Sequence, residues 1–332
     1  MSIAAENALL AAARNGDERA FGSLTQPYAR ELHVHCYRML GSIHDAEDAL
    51  QETFIRAWRH LGRFEGRSSL RAWLYSIATN VCLTLADRRS RNPVPIPPHP
   101  VGAAAEPAEI AHLTPYPDAL LDELRDTSTP EARYELQESV QLAFLAAIQL
   151  LPPRQRAVLI LRDVLGWSAR EVAELLDSTV ASANSALHRA RSALEERRGA
   201  TWSHPSPDVA ASLVRRYMAA WESVDIDALA GLLKHDAVMT MPPQPVLYRG
   251  RDAIADFFAT IPAGGALDQI RLVPTRANGQ PAVAAYGEWP GEPGYRAYGI
   301  MVLTLDGDEI ASITGFTDAA LFPLFGLPTS LD

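Results

Sequence analysis

Cysteine and long apolar runs are scarce in this sequence, and each scarcity narrows the class of protein. The two cysteines, Cys36 and Cys82, are too few for a disulfide framework or a zinc-ligand pattern. Both fall inside helical patterns, which predicts buried thiols in a reducing compartment. No run approaches the roughly 20 consecutive apolar residues of a membrane helix, and the N-terminal residues lack the pattern of a secretory signal. We therefore expect a cytoplasmic protein with no membrane contact, no metal and no cofactor.

The 332 residues are enough for two or three cores, and their net charge of −10 is unevenly distributed. Residues 54–91 hold eight arginines and two acidic residues, and residues 151–200 hold eight arginines and six acidic residues. Residues 92–150 and 201–332 are acidic. Because electrostatic binding surfaces are local, the two basic blocks are candidates for contact with nucleic acid.

The pattern of apolar residues divides the chain into three folded segments. From Ala4 to about Arg91 apolar residues recur at helical spacing, with Asp45 and Ser68 or Ser69 as candidate N-caps. A linker rich in proline and acidic residues follows at 93–134, and helical periodicity resumes over 135–200. A short proline-containing break then precedes residues 206–332.

The third segment has a helix-helix-strand pattern followed by an antiparallel meander, which predicts an α+β domain with a curved sheet. Two amphipathic helices are expected at Asp208–Glu222 and Asp225–Leu233. Hairpin turns are expected at Asn278-Gly279 and Asp306-Gly307. The expected strands are Ala237–Met241, Ile270–Ala277, Ala282–Glu288, Tyr295–Leu305 and Glu309–Thr317.

Residues 165–194 contain a helix-turn-helix pattern. Ser168 is placed to cap a short helix, Asp177-Ser178-Thr179 forms a tight turn, and Thr179 is placed to cap a second helix. The second helix has one apolar stripe formed by Val180, Ala183, Leu187, Ala190 and Leu194. Its other face carries short polar residues first and arginines later, which suits a helix in the major groove. The alternative is a helical hairpin whose polar face only meets water; the cap, the turn and the small polar start favour DNA binding.

Two separated blocks resemble the sigma-70 superfamily, and specifically its extracytoplasmic-function group. The first block runs from Asp45-Ala-Glu-Asp-Ala-Leu-Gln-Glu-Thr-Phe54 to Arg88-Arg89 and resembles region 2. The second, Leu151-Pro-Pro-Arg-Gln-Arg-Ala-Val-Leu-Ile-Leu-Arg162 with the helix-turn-helix, resembles region 4. The resemblance implies two all-α domains, a region 2 helical bundle at 1–92 and a region 4 helix-turn-helix at 135–200. It also implies a transcription initiation factor that works with core RNA polymerase and promoter DNA.

The resemblance implies which residues make these contacts. An acidic helix face is implied to contact the β′ clamp helices of the polymerase, and the β flap is a second implied contact. The alternative is that this acidic face only meets solvent. The implied face is Asp45, Glu47, Asp48 and Glu52. A set of mainly basic and aromatic residues is implied to contact the minus-10 element. The loop from Arg63 to Ser69 is implied to hold a base that is flipped out of the duplex. That set is Arg56, Arg59, Phe64, Arg67, Ser69, Arg71, Trp73, Asn80, Arg88 and Arg89.

The minus-35 contacts are placed on the helix-turn-helix. They are Ser168, Arg170, Ser182, Asn184, Ser185, His188, Arg189 and Arg191. Asn184 and Ala186 stand where many members of the superfamily have basic residues, so the sequence preference is expected to differ, with Asn184 able to read adenine. For Phe54, Trp58 and Trp73, helical spacing among apolar neighbours makes core packing the alternative to base stacking.

Residues 208–328 resemble the SnoaL-like, NTF2-like family, which implies an α+β cone with a pocket. The residues expected around that pocket are Trp221, Tyr248, Phe257 and Phe258. The linker stretch Tyr116–Asp122 and the tail Phe322–Pro328 resemble segments of actinobacterial sigma factors that carry such a domain. These likenesses imply a regulatory domain that contacts the sigma domains or linker and binds an unknown small ligand.

Two other functions compete with the sigma factor. In the first, the third segment is a small-molecule enzyme with His235 and Asp236 as an acid–base pair; adjacent residues on a strand point to opposite faces, which weakens this pairing. In the second, the chain is a stand-alone repressor, which its net charge disfavours. The paired region 2 and region 4 patterns favour a non-enzymatic initiation factor.

Overall fold

The computed structural model describes residues 3–66, 68–91, 101–108, 112–125, 138–197, 205–289, 291 and 294–332. It divides into two compact units. The first comprises residues 1–94, 123–139 and 147–197, and the second comprises residues 95–122, 140–146 and 198–332. Within the described ranges, no helix is long and apolar enough to cross a membrane.

The first unit begins with four helices. They are α1 (Ile3–Arg14), α2 (Glu18–Leu40), α3 (Ile43–His60) and α4 (Leu70–Arg91). Helix α3 is capped by Ser42, whose hydroxyl accepts a hydrogen bond from the Asp45 N–H, so the expectation that Asp45 itself is the cap is wrong. Ser69 caps α4 by accepting from the Ala72 N–H at 3.1 Å, as predicted. Cys36 and Cys82 are free, buried thiols, which confirms the prediction for both.

The helices between residues 118 and 197 include the predicted helix-turn-helix. Helix α5 (Asp118–Arg125) and helix α6 (Leu142–Gln149) precede α7 (Pro153–Leu159), which continues through a π-helical turn at Ile160–Val164. Helices α8 (Ala169–Leu175) and α9 (Val180–Arg197) follow. The three central residues of the apolar stripe predicted on α9 are buried. Val180 is 44% exposed, because it lies in the first turn of the helix, beyond the packed part of the hairpin.

Both predicted caps of the helix-turn-helix are present. The Ser168 hydroxyl accepts from the Glu171 N–H, while the Glu171 carboxylate accepts from the Ser168 N–H, which is a reciprocal capping box. The Thr179 hydroxyl accepts from the Ser182 N–H at 3.1 Å. Asp177 lies between the helices with a φ of 47°, a left-handed conformation that aspartate tolerates better than most residues. Local side-chain chemistry therefore fixes the turn.

The second unit is the expected α+β cone. Its helices are α10 (Pro207–Glu222), α11 (Ile226–Gly231) and α12 (Arg251–Thr260). Its strands are β1 (Glu106–Pro107), β2 (Leu233–Thr240), β3 (Val246–Arg249), β4 (Ile270–Ala277), β5 (Gln280–Glu288), β6 (Tyr295–Asp306), β7 (Glu309–Phe316) and β8 (Ser330–Leu331). They form one sheet in the order β1-β3-β2-β7-β6-β5-β4, with β8 on β6. Among these described strands the β2–β7 pair is parallel and the other pairs are antiparallel.

The five predicted strands are present, but the start of one is wrong, and β1, β3 and β8 were not predicted. Strand β2 begins at Leu233 and not at Ala237, so the preceding helix ends earlier than expected. The pairing of β2 with β7 shifts register between Leu233 and Val238, and this bulge hides the strand alternation in the sequence. The helices cover one face of the sheet, and Trp221 is buried there with its indole N–H donating to the Ile270 carbonyl at 3.1 Å.

Candidate functional sites

The four acidic residues expected to contact polymerase lie on α3, and two of them form ion pairs with predicted DNA contacts. Asp45 pairs with Arg89 at 2.7 Å, and Glu52 pairs with Arg56 at 2.6 Å. Both pairs are partly exposed, so their net contribution to stability is small, about 0–1 kcal/mol each. Glu47 and Asp48 are exposed on the same helix. Two ion pairs thus link the acidic face of α3 to two arginines of the minus-10 set.

The remaining basic residues of the minus-10 set differ in how tightly they are held. Arg71 forms a bidentate pair with Glu31 and lies 4.9 Å over the Tyr75 ring. The hydrogen bond to Glu31 raises the pKa of Arg71, and the pair neutralises much of its charge. Arg59 and Arg88 are exposed. The two exposed arginines are therefore the more accessible candidates for phosphate contact, and Arg71 is anchored within its domain.

The loop expected to receive a flipped base rests on an aromatic cluster. Phe64 is 7% exposed and its ring centroid lies 5.0 Å from that of Trp73. A base contact by Phe64 therefore requires its ring to move away from Trp73. Ser69 and Asn80 are exposed; the Ser69 hydroxyl caps α4, and the Asn80 amide donates to the Ser76 carbonyl. Arg67 lies outside the described residues.

Helix α9 presents an exposed polar face. Ser182, Asn184, Ser185, His188 and Arg189 are all exposed, and together they occupy its first three turns. This arrangement provides amide, hydroxyl, imidazole and guanidinium groups to a groove without any side chain having to leave the core. The structure therefore places these five residues of the minus-35 set on one exposed face of α9.

Three other members of the minus-35 set are engaged within the domain. Arg191 donates two hydrogen bonds to Asp163, which raises the pKa of Arg191. Arg170 pairs with Glu174 one turn along α8, and the Ser168 hydroxyl belongs to the capping box. Arg191 and Arg170 remain more than half exposed, so a phosphate can compete for either guanidinium.

A buried arginine that the sequence reasoning missed lies at the ends of two helices of the first unit. Arg156 is 6% exposed and donates to the Met39 carbonyl near the end of α2. It also donates to carbonyls at the end of α6, those of Ile148, Gln149 and Leu151. Helix C-termini carry partial negative charge, so they stabilise this cation in the interior. Burial nevertheless lowers the pKa of Arg156 to about 10.

In the second unit, part of the linker is bound along the end of the β4–β5 hairpin. Asn278 in the hairpin turn is fully buried: its side-chain carbonyl accepts from the Tyr116 N–H at 2.8 Å, and its amide donates to the Val140 carbonyl at 2.7 Å. Asp118 accepts from the Gly279 N–H at 2.7 Å and from Arg276 at 3.0 Å. We call Tyr116, Asp118 and Val140, with Asn278, the linker clamp.

A second part of the linker adds to the opposite edge of the sheet. Strand β1 pairs antiparallel with β3, and the Ala108 N–H donates to the Pro245 carbonyl. The Gly102 N–H donates to the Tyr248 hydroxyl at 2.9 Å. A Cβ at residue 102 would lie 3.2 Å from the Tyr248 ring, which is tighter than ordinary contact and favours glycine there. Two linker segments are thus integral to the fold of the second unit.

The cone of the second unit encloses an apolar cavity. Of the four residues expected around it, Trp221 and Phe257 line the cavity, whereas Tyr248 and Phe258 pack behind it against these two rings. Sequence reasoning missed the methionines and Tyr298 that complete the wall. His235 and Asp236 are both exposed and do not line it, because the bulge in β2 turns both side chains to solvent.

Comparison with known proteins agrees with this architecture. The sigma-70 region 2 model matches residues 24–92, the sigma-70 region 4 model residues 141–194, and the SnoaL-like domain model residues 214–313. The solved structure of the Mycobacterium tuberculosis extracytoplasmic function sigma factor SigJ aligns with a TM-score of 0.57 and 24% identity, over 91% of this chain and 97% of that one. This structural likeness shows the fold.

Sequence relatives show the family. The ECF RNA polymerase sigma factor SigG of Mycobacterium tuberculosis is 43% identical over 341 aligned residues, which cover 100% of this chain and 90% of that protein. The ECF RNA polymerase sigma factor SigW of Bacillus subtilis is 32% identical, over 55% of this chain and 91% of its own length. The chain belongs to the extracytoplasmic-function family of RNA polymerase sigma factors, and it carries an additional SnoaL-like domain.

Proposed function

We propose that this chain binds core RNA polymerase, recognises minus-35 and minus-10 promoter elements, and helps to open the duplex. The proposed domains are region 2 at 1–92, the linker at 93–134, region 4 at 135–200 and the SnoaL-like domain at 206–332. The presence of both sigma modules in one family member, with the polar face of α9 exposed, carries this proposal. A protein with this function acts where the polymerase and the chromosome are, in the cytoplasm.

For polymerase binding we assign the acidic face of α3. Glu47 and Asp48 are exposed and are the primary contacts with the β′ clamp helices, and the β flap receives region 4. Asp45 and Glu52 hold Arg89 and Arg56 in place, so they act on DNA binding as well. Charge on such a surface mainly raises the association rate and falls in effect with added salt.

For promoter binding we assign the exposed members of the two DNA sets. Arg59 and Arg88 contact phosphates of the minus-10 element, and Arg56 and Arg89 exchange their carboxylate partners for phosphate. Asn184 reads a base edge in the minus-35 element, with Arg189 further along α9 on the backbone. Removal of any one phosphate-binding arginine should weaken promoter binding and lower its dependence on salt concentration.

The SnoaL-like domain regulates this activity by holding the linker. The Asn278 side chain is hydrogen-bonded to residue 116 and to residue 140 at the same time, so these two positions are held close together. The chain between them therefore adds nothing to the distance that the linker can span. The two promoter elements lie about 25 base pairs apart by their names, or roughly 85 Å along B-form DNA. A sigma factor that contacts both needs its linker extended, and so the linker clamp opposes that state.

A catalytic role for the SnoaL-like domain has little support. Among the residues that the structure describes, those lining the cavity include no charged side chain, and the candidate pair His235 and Asp236 lies outside it. General acid–base catalysis needs a titratable group within hydrogen-bonding reach of the reacting atoms; the Tyr298 phenol lines the cavity, but burial raises its pKa, which makes it a poor general base. A ligand-binding regulatory domain fits this geometry better than an enzyme.

Run-off transcription with purified core polymerase and a matched promoter tests the sigma activity. The chain should produce a promoter-dependent transcript, and Arg189→Ala should reduce it several-fold, with a smaller reduction as salt is lowered. Arg215→Ala, an exposed arginine of α10 in the SnoaL-like domain, is the matched control and should transcribe normally. Absence of any transcript with the intact chain, on promoters mapped after overexpression, would overturn the proposal.

A further inference from the structure

The cavity of the SnoaL-like domain is a small space between the sheet and its helices. Its volume is about 40 Å³, larger than one water needs. The walls come from α10, α12 and the inner face of the sheet, with residues such as Trp221, Phe257 and Ile313. Its lining is almost entirely apolar, so an occupant exchanges water for apolar surface.

The lining defines the chemical class of occupant. The polar side chains at the wall are the Tyr298 phenol, the Thr317 hydroxyl and the Trp221 indole, and the indole N–H is already bound to the Ile270 carbonyl. An ordered water needs two to four polar partners, so water is poorly held in this space. A charged ligand would lose its hydration without compensation. An uncharged molecule with at most one hydrogen-bonding group fits these walls.

Three methionines make the cavity adaptable. Met239, Met241 and Met301 all contribute to its lining, which is half of the methionines in the chain. Unbranched thioether side chains change rotamer at little cost and repack around ligands of different shape. The cavity can therefore enlarge around an occupant bigger than the present space.

One side of the cavity leads directly to the linker. The Phe257 ring lines the cavity, and its centroid lies 4.8 Å from that of Tyr248. The Tyr248 hydroxyl in turn accepts the hydrogen bond from the Gly102 N–H. Residue 102 also packs against the Tyr248 ring itself. A displacement of the Phe257 ring therefore displaces the Tyr248 ring, which contacts the linker backbone at residue 102.

We propose that this cavity binds an uncharged, apolar small molecule, and that binding weakens the hold of Tyr248 on residue 102 and so helps to release the linker. This inference rests on the proposed control of the sigma activity by the linker. It makes the ligand an effector, since only a molecule that favours the released state over the held state can shift that equilibrium.

Binding is tested by calorimetry on the full chain with two matched series of probes. Primary alcohols from butan-1-ol to octan-1-ol should bind with affinity that rises roughly four-fold per methylene until the cavity is filled. The carboxylates of the same chain lengths should bind at least ten-fold more weakly. Equal affinity of alcohols and carboxylates, or no binding of either, would overturn the site.

Variants that fill the cavity locate the binding. Gly315 lies on β7 with ordinary φ, and a Cβ there would meet Met241 at 3.5 Å, so Gly315→Val projects into the cavity. Met241→Phe is a second filling variant at a half-buried position. Gly231→Val, at a glycine with open space around it, is the control. Both filling variants, if folded by circular dichroism, should lose alcohol binding, and the control should keep it; retained binding in both would refute the location.

Hydrogen–deuterium exchange over residues 101–108 tests the coupling. Saturating octan-1-ol should raise exchange in this segment in the unmodified chain. Tyr248→Phe, which lacks the accepting hydroxyl, should already exchange faster and change less on adding the alcohol. Binding without faster exchange would refute the coupling but leave the site. Binding and faster exchange with no effect of linker-clamp variants on transcription would instead refute the proposed control of sigma activity.

Discussion

Substitution of Asn278 should release the linker from the SnoaL-like domain. Asn278→Ala removes the acceptor of the Tyr116 N–H and the donor to the Val140 carbonyl, two buried bonds of 2.8 and 2.7 Å. Asn278→Asp keeps an acceptor for Tyr116, but it replaces the donor to the Val140 carbonyl with a second oxygen, which repels that carbonyl. The φ of 57° at this position is a conformation that aspartate tolerates and that alanine adopts only with strain, so the alanine variant also loosens the turn.

The size of the effect follows from the groups left without partners. A buried donor or acceptor that loses its partner costs about 1–3 kcal/mol, so Asn278→Ala should weaken the linker clamp by about 2–6 kcal/mol. Even the lower figure raises the opening equilibrium by roughly 30-fold. Asn278→Asp should weaken the linker clamp at least as much, because a buried carboxylate oxygen then faces the Val140 carbonyl. Asp268→Ala, at an exposed residue of the same domain, should show none.

Hydrogen–deuterium exchange of residues 112–122 and 138–146 measures this release. Exchange should rise in both segments with Asn278→Ala and mainly in the second with Asn278→Asp. Strands β5 and β6 serve as internal references, because their exchange should stay slow. Unchanged protection of both segments in the alanine variant, with the domain folded, would show that Asn278 does not hold them.

Three further substitutions and conditions have defined outcomes. Arg156→Met should destabilise the first unit by about 3 kcal/mol or more, because it leaves buried carbonyls without donors, whereas exposed Arg154→Met should have little effect in urea unfolding. Burial lowers the pKa of His33 to about 4 and of His35 to about 3, below the 6.5 of the unfolded chain. The unfolded state therefore takes up protons first, and stability should fall below pH 6.5, by about 1.4 kcal/mol per pH unit per histidine; His35→Gln should flatten that slope. Ser168→Ala should cost about 1 kcal/mol by removing the capping box, seen as a lower unfolding midpoint and weaker promoter binding.

Local signals in the sequence were sufficient for the helix-turn-helix. Ser168 and Thr179 stand immediately before apolar helical periods, and capping acts over three residues, so their roles can be read directly. The same reasoning gave the wrong residue at Asp45, because the Ser42 hydroxyl, three residues earlier, accepts the capping hydrogen bond from the Asp45 N–H. Strand β2 was misplaced because its bulge breaks the alternation that identifies strands.

The linker clamp and the cavity depend on contacts that no local pattern contains. Asn278 and Val140 are separated by 138 positions, and a hairpin Asn-Gly pair is explained fully by its turn. Met241 follows the end of β2 and Met301 lies on β6, and each reads as an ordinary core residue in the sequence. Arg156 lies in a basic block that suggests DNA contact, yet it is buried against carbonyls. Tertiary placement, and not residue type, assigns these roles.

We infer that the SnoaL-like domain restrains this sigma factor through the linker. Run-off transcription with core polymerase, comparing the unmodified chain with Asn278→Ala at equal concentration, tests it most directly. Asn278→Ala should give more transcript than the unmodified chain, and Asp268→Ala should give the same amount. Equal or lower output from folded Asn278→Ala, in the presence of demonstrated linker release, would contradict it.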